Sequence, residues 1–144
     1  RLIGGKTDII MMLNGALAGL VAITAEPLAP TPGLAIVIGS IGALIMYFGT
    51  KMLESFGLDD VVGAIPVHMF AGIFGTLVVP VSNSETSFGT QLIGTISVCA
   101  FSFVLSYALF TALKTTVGLR ISKAAEKQGT DKAEIGVSAY SIRD

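Results

Sequence analysis

Charge is scarce in this sequence: of its 144 residues, 13% are charged and 52% are apolar. A soluble domain carries about 25% charge. The shortage is also local. Residues 61–84 contain no Asp, Glu, Lys or Arg, and neither do residues 86–113. Such stretches cannot build a water-facing surface, so an ordinary soluble globular domain is excluded. Disorder is excluded with it, because disordered chains are polar and highly charged. Basic excess is missing too: the net charge is −1, and no basic face interrupts the apolar runs, which rules out a nucleic-acid binder. Cysteine occurs once, at Cys99, so one chain can form neither a disulfide framework nor a cysteine-built metal site. Inside its apolar run, Cys99 reads as a small buried hydrophobe. There is no Walker-type phosphate loop, no dinucleotide fingerprint and no paired histidines at metal-ligand spacing. One histidine flanked by apolar residues supports no Ser-His-Asp set. Hydrolysis, phosphoryl transfer and redox chemistry therefore have no visible machinery, and the expectation is a non-enzyme with no cofactor and no metal. The layout of a signal peptide is also lacking, and a start at Arg1 suggests a processed chain or a piece of a longer one.

What is present is an all-α membrane protein. Four segments have the length of a membrane-crossing helix, about 20 residues within a range of about 17–25. They are residues 9–25, 34–50, 61–81 and 89–113. The first gap holds Pro27, Pro30 and Pro32, which cannot continue a helix. The second holds Lys51, Glu54, Asp59 and Asp60, and the third is the small polar run Ser82 to Ser87. Four crossings put both ends on one side. All nine lysines and arginines then fall on that side, and the two opposite loops carry none. The positive-inside rule makes the shared side cytoplasmic. Residues 1–114 thus read as the transmembrane region and 115–144 as a cytoplasmic C-terminal tail, in the cell membrane. Within the spans, Gly15 with Gly19, Gly39 with Ala43, and Ala71 with Gly75 form small-xxx-small pairs. Lipid gives helices no hydrophobic drive to associate, and small residues let their backbones approach.

His68 is the single histidine and sits near the middle of the third expected span. An ionisable group inside a membrane is costly and is by default a candidate functional site. Pro66 lies two residues before it and is expected to bend the helix, with the freed carbonyl satisfied by protein or water. Gly72 and Gly75 follow at four and seven residues, on the expected His68 face. That stripe suits a narrow passage holding one polar group. A neutral imidazole donates from one nitrogen and accepts at the other, so it can hold a small polar solute. The alternative is a structural hydrogen bond between helices, and the residues alone leave both open. Asp59 and Asp60 open the span as favoured helix-start carboxylates. Asn14 lies within the first span, where its side chain needs a partner and a packing hydrogen bond is expected. Glu26 reads as solvated in the proline loop.

The local strings resemble ammonium transporters of the Amt/Mep/Rh family. Residues Asn14 to Ala25 resemble a span found late in those proteins. The run Asp59-Asp60-Val61-Val62-Gly63-Ala64-Ile65-Pro66-Val67-His68, continuing through Ala71-Gly72-Ile73-Phe74-Gly75, resembles the family's most characteristic helix. Val117-Gly118-Leu119-Arg120 and Ala139-Tyr140 match in order. The resemblance implies homotrimers whose subunits have about eleven helices in two inverted halves. Each subunit would carry its own pore, lined by two histidines. His68 matches the second of these, and its partner would lie upstream of Arg1. The chain would then be the last four helices and tail, moving ammonium/ammonia across the cytoplasmic membrane. Asp60, Pro66 and Gly72 would support the pore helix. Gly136 and Tyr140 would belong to a regulatory tail that contacts neighbouring subunits and, in many members, a PII-type signalling protein. The chain departs from the family pattern at Glu26-Pro27, at Met69-Phe70 and at Ile135. A competing reading is a non-conducting membrane interaction or sensor module with a cytoplasmic regulatory partner.

Overall fold

A computed structural model of the chain describes residues 8–139, and these are helical with no strand. Helix α1 runs Ile9–Ile23, α2 Pro32–Ser55, α3 Ala71–Ser82, α4 Phe88–Thr116 and α5 Lys123–Gln128. A π-helical turn, Ile65–Phe70, leads directly into α3, and a second one, Asp131–Ile135, follows α5. Among the described residues, three helical stretches are long and apolar enough to cross a membrane: Pro32–Ser55, Ile65–Ser82 and Phe88–Thr116. Helix α1 is equally apolar but has 15 residues, about 22 Å at about 1.5 Å per residue. The chain forms two compact units that meet within α4, residues 1–99 and residues 100–144.

In the first unit α1 and α2 start on side-chain caps, and α2 stops on a glycine. Asp8 caps α1 by accepting from the Met11 N–H at 3.0 Å. Thr31 caps α2, and Pro32 takes the first helical position, where a missing N–H costs nothing. The end of α2 is a Schellman turn. Gly57 adopts φ +68°, while the Gly57 and Leu58 N–H groups donate to Glu54 and Leu53 carbonyls. The residues before His68 differ from the expected continuous span. Val61 and Val62 form a turn, Gly63 has φ +74°, and regular helix begins only after it. A positive φ cannot sit inside an α-helix, so Gly63 sets that boundary.

The packing is backbone against backbone. A Cβ on Gly19 would stand 3.1 Å from the Gly39 carbonyl oxygen, and one on Gly42 2.9 Å from that of Ala18. Gly75 lies against the backbone of Ala22 in the same way. Around these approaches sits a small core of Ala18, Met46, Val67 and Ala71. The glycine pairs seen in the sequence at Gly15/Gly19 and Gly39/Ala43 thus lie where α1 meets α2. Gly42 and Gly49, which no spacing singled out, are as tightly placed: Phe70 and Pro66 lie over Gly49. Helix α4 has no buried residue.

In the second unit, Ser122 caps α5 by accepting from the Ala125 N–H at 3.2 Å. The π-turn after it is closed by Asp131, whose carboxylate accepts the Ala139 N–H at 2.8 Å. Gly136 ends that turn at φ +78°.

Candidate functional site

The π-turn decides which way His68 points. Its first N–H groups would have no helical partner, and Asp60 supplies one. Its two carboxylate oxygens accept from Ala64 at 2.9 Å and Ile65 at 2.8 Å. Pro66 follows in the first turn, where it lacks an N–H that would be unpaired in any case. This corrects the expected role of Pro66: it does not bend a helix from within. It is fully buried against α2 near Gly49. Val67 and Ala71 are likewise buried, at 2% and 0% exposure. With those two fixed in the core, His68 faces outward.

His68 lies on a groove of about 300 Å³ whose walls include Met69, Gly72 and Thr76 on one side and Thr95, Val98 and Cys99 of α4 on the other. The imidazole is exposed and has no hydrogen-bond partner among the described residues, unlike the neighbouring Asp60, Ala64, Ile65 and Thr76. The interhelix hydrogen bond weighed in the sequence is therefore not made within these helices. His68 also belongs to the opening turn of the 18-residue stretch Ile65–Ser82 and not to its middle, because Gly63 delays the helix start.

Gly72 shares the groove with His68, and its carbonyl accepts the Thr76 hydroxyl at 3.0 Å. Gly75 does not share it. It turns toward α1 and meets Ala22. A seven-residue step returns to the same face only in a uniform α-helix, and the wider π-turn changes that register. Cys99 is exposed on the groove and not buried. Its flanks are apolar because α4 is apolar all round, so local hydropathy carried no sign of its facing. Glu26 is half-buried and accepts from the Asn83 amide at 2.8 Å, joining two loops that the sequence separates by 57 residues. Asn14 finds its partner in the Val62 carbonyl, at 3.0 Å.

In the tail, Gly136 is placed by its left-handed backbone, while Tyr140 lies outside the described residues. The Ala139 N–H, and then that of Lys132, hold the Asp131 carboxyl below the usual carboxylate range. Among the described residues no three histidine, cysteine or carboxylate side chains gather in a way that could hold a metal.

A groove bearing one unpaired imidazole, beside apolar helices that meet through glycine, restricts the possibilities without choosing among them. Comparison with known proteins makes the choice: residues 1–140 match the Ammonium Transporter Family model. The chain belongs to the ammonium transporter family. Similar proteins include an ammonium transporter of Archaeoglobus fulgidus, 40% identical over 157 residues, covering 94% of this chain and 33% of that protein. One from Haloferax mediterranei is 37% identical, with 94% and 27% covered. Another from Methanocaldococcus jannaschii is 33% identical, with 96% and 35% covered. The chain thus spans about a third of the length of the curated relatives it matches.

Proposed function

We propose that this chain is the C-terminal part of an ammonium channel or transporter and contributes His68 to a pore in each subunit. The observation that carries this reading is the exposed imidazole, unpaired on the groove, on a turn whose adjacent residues Val67 and Ala71 are locked in the core. Ammonium is taken up at the outer mouth, loses a proton on entry, and passes His68 as ammonia. A neutral imidazole offers such a solute one donor and one acceptor. The facing wall, with the second histidine, comes from the remainder of the protein. Asp60 secures the start of the pore helix, Pro66 anchors it to α2, and Gly72 keeps the wall beside the imidazole bare.

Residues 1–114 then lie in the cytoplasmic membrane and residues 115–144 form a cytoplasmic tail, following the lysine and arginine distribution. The assembly is a homotrimer in a lipid bilayer, and the tail around Gly136 and Tyr140 faces neighbouring subunits or a PII-type signalling protein. The test is His68→Ala in the full-length protein, reconstituted in liposomes and assayed for ammonium and methylammonium flux. Altered flux with an intact fold is expected. Unchanged flux removes His68 from the pore and favours a non-conducting module.

A further inference from the structure

A π-turn is rare and occurs mostly as a single wide turn inside an α-helix, frequently at a functional site. Here the segments on its two sides are anchored. Both are held by α1. At the far end, Gly75 lies against the backbone of Ala22. At the near end, the Asn14 side-chain amide donates to the Val62 carbonyl at 3.0 Å. The two anchors, Asn14 and Ala22, are eight residues apart on α1, about 12 Å along a helix. Their counterparts, Val62 and Gly75, are thirteen residues apart, and the first two of these, Val62 and Gly63, are not helical. A wider, shorter turn takes up part of the difference.

The near end is shaped around the amide. Gly63 is buried at φ +74°, and a Cβ there would come within 2.5 Å of the Asn14 Nδ2. Gly63 in turn links the anchor to the helix: its N–H donates to the Asp60 carbonyl and its own carbonyl accepts from Val67, both at 3.1 Å. Val67 immediately precedes His68. One chain of hydrogen bonds and peptide units therefore runs from Asn14 to the imidazole-bearing residue. If the wide turn narrowed to α, the residues before it would rotate relative to Ala71 and those beyond, and His68 would leave the groove.

We propose that Asn14 is a positioning residue: by holding the Val62 carbonyl it keeps the turn wide and aims the His68 ring into the groove. This rests on reading His68 as a pore residue. The test uses the full-length protein in proteoliposomes, with Asn14→Leu, Asn14→Gln, His68→Ala and the Asn14→Leu/His68→Ala double variant. Initial rates are measured for ammonium and for methylammonium. Asn14→Leu is expected to lower ammonium flux about fivefold, the factor one lost hydrogen bond is worth, and to change the methylammonium-to-ammonium ratio. Asn14→Gln, which keeps an amide donor, recovers most of the loss. In the His68→Ala background, Asn14→Leu leaves the ratio where His68→Ala put it, because no ring remains to be misdirected. Wild-type flux and ratio in folded Asn14→Leu overturn the proposal. So does an equal shift in both backgrounds, which marks Asn14 as a support of the fold alone. If His68→Ala by itself changes nothing, the pore reading is what fails, and that result does not depend on Asn14. Should Asn14→Leu fail to assemble, Asn14→Ser, whose hydroxyl is too short to reach Val62, replaces it in the same comparison.

Discussion

Replacing Gly75 by alanine adds one methyl group at the closest approach of α3 to α1. Its Cβ would stand 2.9 Å from the Ala22 Cα and carbonyl carbon, and nearer still to the carbonyl oxygen. The obstacle is helical backbone, which cannot swing aside as a side chain can. Helix α1 has to move away, and the contacts of Ala18 with Val67 and Ala71 loosen with it. Forcing extra volume into packed structure costs about 1–3 kcal/mol. Exchanging glycine for alanine in a helix returns about 1 kcal/mol of propensity. The net is a destabilisation of about 1 kcal/mol or somewhat more, a change of roughly fivefold to tenfold in the folded population. The control is Gly33→Ala, near the start of α2, where a Cβ meets nothing within 4 Å. It collects the propensity gain without the clash. The full-length protein in detergent, heated in steps and analysed by size exclusion for surviving folded protein, should rank Gly33→Ala at or above wild type and Gly75→Ala below it. A Gly75→Ala protein at least as heat-resistant as wild type refutes the described contact between α1 and α3.

Gly63→Ala is expected to destabilise the protein by about 1–3 kcal/mol, because alanine there combines an unfavourable φ with a Cβ pressed against the Asn14 amide; thermal unfolding of the purified protein measures it. Glu26→Ala breaks the bond to Asn83 and should lower stability by about 1 kcal/mol, whereas Glu26→Gln, which keeps an oxygen acceptor, should lose less in the same measurement. The tail should respond to acid. The folded-state pKa of Asp131 is depressed, so its contribution is present above the ordinary carboxylate range and is lost as pH falls through the depressed value. The protection of the Ala139 amide, referenced to its intrinsic exchange rate at each pH, should therefore fall in acid, and Asp131→Asn should remove that pH-dependent change in protection.

Some of this was legible without coordinates because it depends on neighbours in sequence. The apolar runs and the breaks at Pro27–Pro32 and Ser82–Ser87 follow from local hydropathy and local backbone chemistry, and the helices stop there. The string around His68 carried the family. The glycine spacing in the first two spans led to a real interface, because glycines one turn apart lie on one face of a helix whatever they meet. The Ala71 and Gly75 pair likewise packs, Gly75 against Ala22 of α1; what failed was the seven-residue step from His68 to Gly75, which crosses a turn of different pitch.

Chain order alone determined that this protein is helical, that its helices are apolar enough for a membrane, and that one imidazole lies among them. It could not determine what that imidazole faces. Facing depends on Asn14 reaching Val62 across 48 residues, on Gly63 at positive φ, and on Val67 and Ala71 filling the core from the other side. Those are contacts between segments far apart along the chain. A periodicity read within one segment carries no information about them, and only the packed helices supply the register.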